Sequence, residues 1–200
     1  MRIVAGEYKG RVLKAPSGQT ARPTTDRVRE ALMSVLISAR GTLDGAVVLD
    51  AFAGSGALGL EALSRGAAHV SFCEKNGAVF HTLRANLDSF AVPDARYTLF
   101  QTDILKHTPK FTKTPFDLVF LDPPYGYKAT DVLALLERME AQGLLAAETL
   151  ISYEHAKSDD LSVRAAFDSL QWDIVAHKSY GDIALDLALV RHQKREVSST

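Results

Sequence analysis

Asp122-Pro123-Pro124-Tyr125 carries residue types suited to chemistry on an amine. It follows Phe116-Asp117-Leu118-Val119-Phe120-Leu121, an apolar run that reads as a buried strand ending where the tetrapeptide begins. Two consecutive prolines cannot extend a sheet ladder and hold the local backbone stiffly. A carboxylate, fixed carbonyls and an aromatic ring then stand at a strand's C-terminal edge, where open α/β sheets bind ligands. Asp122 and an exposed carbonyl of Pro123 or Pro124 can accept hydrogen bonds from an exocyclic amine, and Tyr125 offers a stacking face for a base. Alone, such a tetrapeptide is more commonly a strand followed by a proline turn. What lies upstream decides between the two.

Gly54-Ser55-Gly56-Ala57-Leu58-Gly59 fits G-x-G-x-x-G between a strand and a helix, the context that gives the pattern meaning. Glu74 lies twenty residues beyond Gly54 at the end of a second strand, where a carboxylate can take both hydroxyls of a ribose. The pattern suits an adenosine-containing cofactor without naming it. Asp50 ends the first strand just before the glycines and would repel a pyrophosphate, but it suits a ligand bearing an ammonium and a sulfonium. Asp103, shortly after a third strand, can accept from an adenine amine. Each acid alone reads as a loop residue or a cap. Four of them at the ends of four consecutive strands carry more weight.

The elements that place these residues follow from periodicity. Strands are expected over 46–52, 70–74, 96–100, 116–121 and 149–153, alternating with helices that open at Ala57, around Val79 and around Val132. This order implies a mainly parallel sheet covered on both faces. Residues 172–179 and 183–191 are two further strand-like runs. Tyr180-Gly181-Asp182 between them is short enough to join only antiparallel strands. Residues 1–23 read as short strands or a hairpin with turns, not as helix. Val28, Ala31, Leu32, Val35 and Leu36 then mark the apolar stripe of a helix, with Arg27 and Arg29 turned away from it.

Composition, 46% hydrophobic and 24% charged, is that of a globular protein. The start lacks the apolar block of a signal peptide, and the single cysteine, Cys73, forms no intrachain disulfide; a cytoplasmic location is expected. Net charge is −1, with +5 in residues 1–40 and −6 in the remainder. A basic leading segment on an acidic body suits a phosphate-bearing partner, with a solvated charged surface as the plainer reading. The six histidines are dispersed, with no metal-ligand spacing.

The tetrapeptide joined to Val48-Leu49-Asp50-Ala51-Phe52-Ala53-Gly54-Ser55-Gly56 resembles the S-adenosylmethionine-dependent amino-methyltransferases of nucleic acids. The opening Met1-Arg2-Ile3-Val4-Ala5-Gly6-Glu7-Tyr8-Lys9-Gly10-Arg11 and Arg22-Pro23-Thr24-Thr25-Asp26-Arg27-Val28-Arg29-Glu30-Ala31 narrow it. These resemble the bacterial RsmD-like family that methylates guanine N2 in 16S ribosomal RNA. The resemblance spans essentially the whole chain and weakens after about residue 155. It implies a Rossmann-like, seven-stranded class I methyltransferase sheet with an antiparallel C-terminal hairpin over 41–192. It also implies a basic RNA-binding β-hairpin/helix extension over 1–40 and a flexible tail over 193–200.

By the same resemblance, S-adenosyl-L-methionine is held by Asp50, Ala53, Gly54, Gly56, Glu74, Asp103 and Asp122, with Asp122, Pro123, Pro124 and Tyr125 catalytic. Arg2, Lys9, Arg11, Arg22, Arg27 and Arg29 are the candidate RNA contacts. The implied partner is ribosomal RNA in a small subunit or its assembly intermediate, met by a monomer. Three other readings stay open: an adenine-N6 methyltransferase of DNA or RNA, an NAD-dependent oxidoreductase, and a non-catalytic RNA-binding protein.

Overall fold

A computed structural model describes residues 1–15, 26–108, 114–124 and 126–191, with only the backbone of residues 26 and 27. Its centre is one seven-stranded sheet in the order β3-β2-β1-β4-β5-β7-β6. The strands are β1 Val47–Asp50, β2 His69–Glu74, β3 Tyr97–Gln101, β4 Phe116–Leu121, β5 Leu145–Ala156, β6 Asp173–Tyr180 and β7 Ile183–Leu189. The first five pair in parallel, and β7 lies antiparallel to both β5 and β6. The expected doubly wound sheet with its C-terminal hairpin is therefore present. Chain order reverses between β1 and β4, which makes their C-terminal ends the switch point where such sheets take ligands.

Helices cover both faces, as a parallel sheet requires. On one face Val48, Leu118 and Phe120 pack with α1 (Asp26–Arg40), α2 (Ala57–Ser64), α3 (Gly77–Ser89) and the leading segment, through Leu32, Leu60, Leu83 and Ile3. On the other, Leu49, Val119, Leu121 and Ile151 pack with α4 (Ala129–Ala141) and α5 (Asp160–Ser169) through Val132, Leu136, Val163 and Phe167.

Residues 1–13 form a short hairpin: Arg2 and Val12 make an antiparallel bridge, the Ile3 N–H donates to the Arg11 carbonyl at 3.0 Å and the Leu13 N–H to the Met1 carbonyl at 3.0 Å. Residues 16–23 of the expected segment lie outside the described residues. The hairpin is anchored on α2. The Glu7 N–H donates to the Ser64 carbonyl at 2.7 Å, and the Tyr8 N–H to the Ser64 hydroxyl at 2.9 Å. Gly6 between them has φ +83°, and a Cβ there would stand 1.7 Å from the Ser64 carbonyl oxygen, so only glycine fits.

Helix α1 corrects the sequence reading. Of the expected stripe Leu32 and Leu36 are buried and Val28, Ala31 and Val35 half-buried, but the buried face also takes in Arg29 and Met33. Arg29 therefore points inward and is fully buried, not turned to solvent. Helix α5 was not expected at all.

Candidate active site

The C-terminal ends of β1, β2, β4 and β5 open into one cleft of about 1200 Å³. A single drug-sized ligand occupies about 300–1000 Å³, so this cleft has room for more than one molecule. Asp50, Glu74, Asp103 and Asp122 all line it, with Ala53, Gly54, Pro123 and Pro124. The structure thus brings the acids expected at four strand ends to a single space.

The glycine loop is built around two of those acids. Gly54 and Gly56 both have positive φ, 55° and 86°, and Gly56 stands at the N-terminal cap of α2. The Gly54 N–H donates to one Glu74 oxygen at 3.1 Å, and the Asn76 N–H to the other at 2.7 Å. Glu74 is thereby fixed, and a carboxylate has further lone pairs for ribose hydroxyls. Asp50 accepts the Gly59 N–H at 3.0 Å. At Gly59 a Cβ would press on the Phe72 ring at 2.2 Å, so the third glycine of the pattern serves helix–strand packing. Asp103 accepts the Leu105 N–H at 3.3 Å, which holds it in a turn at the cleft wall.

Electrostatics favour a cation. Burial pushes the Asp50 carboxyl up to about 7; the Gly59 bond counters this, and the charges of Asp122 and Glu74 add to it. Burial, with Asp50 and Glu74 nearby, pushes the Cys73 thiol up, which keeps it protonated as a small core residue. Crowded carboxylates of this kind are relieved by positive charge. A cofactor carrying an ammonium and a sulfonium fits that donor set, and a pyrophosphate does not.

Asp122 and Pro123 are half-buried at the end of β4. The Pro124 carbonyl accepts the Tyr127 N–H in the turn that follows, at 3.5 Å, with Gly126 at φ +97°. Among the described residues no group donates to the Pro123 carbonyl, which leaves it as an acceptor. Tyr125 lies outside the described residues.

The candidate RNA contacts separate. Lys9 and Arg2 are exposed. Arg11 donates to the carbonyls of Ser89 and Phe90, at 2.7 and 2.8 Å, and its guanidinium lies 4.8 Å from the Phe90 ring centroid. Arg29 is a correction: it is fully buried, faces Glu61 in the interior and borders the cleft from within, instead of standing on the surface. Arg22 and the side chain of Arg27 fall outside the described residues, as does the tail from residue 192.

Sequence reasoning passed over several cleft residues. Glu154 lines it beside Asp122, and Phe52 and Tyr127 meet across its rim with ring centroids 5.9 Å apart. Lys75 contacts the Tyr127 hydroxyl. Phe52, Lys75 and Glu154 sit within one residue of a predicted strand end, the signal that could have found them; Tyr127 lies six residues past one.

The sequence matches the family described as Conserved hypothetical protein 95 over residues 1–188. Ribosomal RNA small subunit methyltransferase D of Escherichia coli (strain K12) is 36% identical over 187 residues, covering 94% of this chain and 88% of that protein. The Haemophilus influenzae protein of the same name is 37% identical over 138 residues, covering 68% and 70%. Among solved structures, protein yhhF of Escherichia coli matches with a TM-score of 0.77 at 34% identity, over 96% of this chain and 99% of that one.

Proposed function

Since this chain belongs to the RsmD-like family of S-adenosylmethionine-dependent methyltransferases, we propose that it methylates the exocyclic N2 amine of a guanine in 16S ribosomal RNA. One observation carries the reading. A cleft with room for a cofactor and a base is lined by Asp50 and Glu74 and, at the end of β4, by Asp122 and Pro123, which supports that reading.

Asp50, Ala53, Gly54 and Gly56 hold the methionine end of the cofactor, Glu74 the ribose and Asp103 the adenine. When bound, S-adenosylmethionine supplies an electrophilic methyl group on a sulfonium that is already a competent leaving group. Asp122 and the Pro123 carbonyl accept the two N–H groups of guanine N2. That holds the amine with its lone pair directed out of the ring system and toward the cofactor. Tyr125 stacks on the base. Alignment supplies much of the rate. The proton lost from nitrogen passes to Asp122 or to water.

A guanine in structured RNA must leave its stack to reach this cleft. Residues 1–40 supply the grip on phosphates, through Lys9 and Arg2 among the described residues. The substrate is a small subunit or its assembly intermediate in the cytoplasm, and the protein acts as a monomer. No helix among the described residues is long and apolar enough to cross a membrane.

Mass mapping of 16S ribosomal RNA nucleosides from cells with and without the protein tests the reading. Loss of one N2-methylguanosine is expected. Loss of an N6-methyladenosine would move the assignment to adenine, and an unchanged pattern would overturn it.

A further inference from the structure

Glu154 stands next to the tetrapeptide without a role in the mechanism above. Sheet register places it: Leu121 of β4 pairs with Tyr153 of β5, and both side chains enter the core under α4 and α5. Alternation along a strand then sends the next residues, Asp122 and Glu154, to the opposite face, and both line the cleft. Among the described residues, no group donates a hydrogen bond to the Glu154 carboxylate and no ion pair engages it. A partly buried acid of this kind costs free energy unless a ligand supplies the donor.

We propose that Glu154 is a substrate-contacting residue that accepts the ring N1–H of the target guanine and so selects guanine over adenine. The inference rests on the reading of Asp122 and Pro123 given above. Guanine presents three N–H donors side by side on one edge, two on N2 and one on N1. Asp122 and the Pro123 carbonyl account for the first two, and the third needs an acceptor immediately beside Asp122. Adenine has an amine but a bare N1, whose lone pair would face the carboxylate. A site built to receive a donor rejects the analogue that lacks it far more strongly than a shape difference does. Burial, and then the charge of Asp122, raise the Glu154 carboxyl to about 8, with His155 opposing. The empty site therefore holds that proton at neutral pH, and a cationic cofactor and an N1–H donor both favour the ionised, accepting form once they are bound.

The test uses the full-length protein and small ribosomal subunits purified from cells lacking it, with tritiated S-adenosylmethionine as methyl donor. Glu154→Ala is expected to raise KM for the subunits by roughly 10- to 100-fold, the worth of one charge-assisted hydrogen bond, with kcat changed much less. Glu154→Gln, whose amide oxygen can still accept, should recover part of that loss. Calorimetric affinity for S-adenosylmethionine should stay within about twofold in both variants. An unchanged KM in Glu154→Ala overturns the proposal, as does a loss of cofactor affinity matching the loss of RNA affinity, or a fall confined to kcat. Failure of the wild-type protein to modify any guanine would instead overturn the underlying function.

Discussion

Arg29 and Glu61 face each other in the interior, Nε to Oε2 at 3.7 Å, with both side chains closed to solvent. Glu61 also accepts the Val4 and Ala5 N–H groups at 2.8 and 3.1 Å and the Arg65 Nε at 2.8 Å. Arg29 donates to the Arg2 carbonyl. The leading segment, α1 and α2 are therefore joined through one buried ion pair, and α2 is the helix that opens at the glycine loop. The leading segment is thereby mechanically continuous with the glycine loop that lines the cleft.

Glu61→Ala should be among the most damaging substitutions outside the cleft. It strands a buried guanidinium and two backbone donors, and breaking one side of a buried pair costs about 3–5 kcal/mol. In a chain of this size that corresponds to a fall in Tm on the order of 10 °C. Pairing it with Arg29→Met should recover much of the loss, because the stranded charge goes too. Thermal melts of both variants decide, and a Tm within a degree of wild type in the single variant would show that the pair holds nothing.

Asp122→Ala addresses the chemistry. Removing one of the two amine acceptors should lower kcat by roughly 10²- to 10³-fold, the effect seen when one aligned polar group is deleted from an active site. Calorimetric affinity for S-adenosylmethionine should change little, since Asp50 and Glu74 remain. Equal loss of turnover and cofactor binding would assign Asp122 to the cofactor site alone.

The sheet was legible because β1, β2, β4 and the middle of β5 are apolar runs of the right length, and α3 and α4 carry a period of 3.6. The misreadings have physical causes. In α1 the rule that charges face solvent put Arg29 on the outer face, whereas its partner is Glu61, thirty-two positions along the chain and itself embedded in the apolar helix α2. Helix α5 buries only Val163 and Phe167, two anchors at i, i+4 that do not raise a period above noise. Strand β5 begins four residues before Thr149, since the register against β4 slips there and the Thr149 hydroxyl donates to the Phe116 carbonyl at 2.6 Å. The four strand-end acids could be read from sequence spacing. Glu154 could not, because its meaning depends on which strand lies next to β4.

Acid–base behaviour of the cleft gives a signed expectation. Asp50 titrates near 3.8 when unfolded and at about 7 in the folded protein. Between those values the folded state keeps a proton that the unfolded state has lost, so stability falls as pH rises from about 4 to 7. Cofactor affinity runs the opposite way, rising toward pH 7 as the carboxylate forms and attracts the cation. Asp50→Asn should remove the Asp50 share of both slopes below pH 7, leaving in the stability slope the contribution of Glu154, whose carboxyl is raised from 4.5 to about 8 and so acts across that whole window. Urea unfolding and calorimetry at pH 5, 6, 7 and 8 read these slopes. A slope of wild-type steepness below pH 7 in Asp50→Asn would remove Asp50 from the account.

Lys9 and Arg11 should separate binding from folding within one segment. Lys9 is exposed, so Lys9→Ala should reduce the slope of log affinity for RNA against log salt by about 1, one phosphate contact, and leave Tm unchanged. Arg11 has two donors committed to the last carbonyls of α3 and its plane against Phe90. A cation there also complements the negative end of the helix dipole. Arg11→Ala should therefore cost roughly 1–2 kcal/mol of stability, with a smaller change in salt dependence than Lys9→Ala. Filter binding of RNA across a salt series, beside urea unfolding, measures both quantities. A salt slope lowered more by Arg11→Ala than by Lys9→Ala would place phosphate on the helix cap and reverse the two assignments.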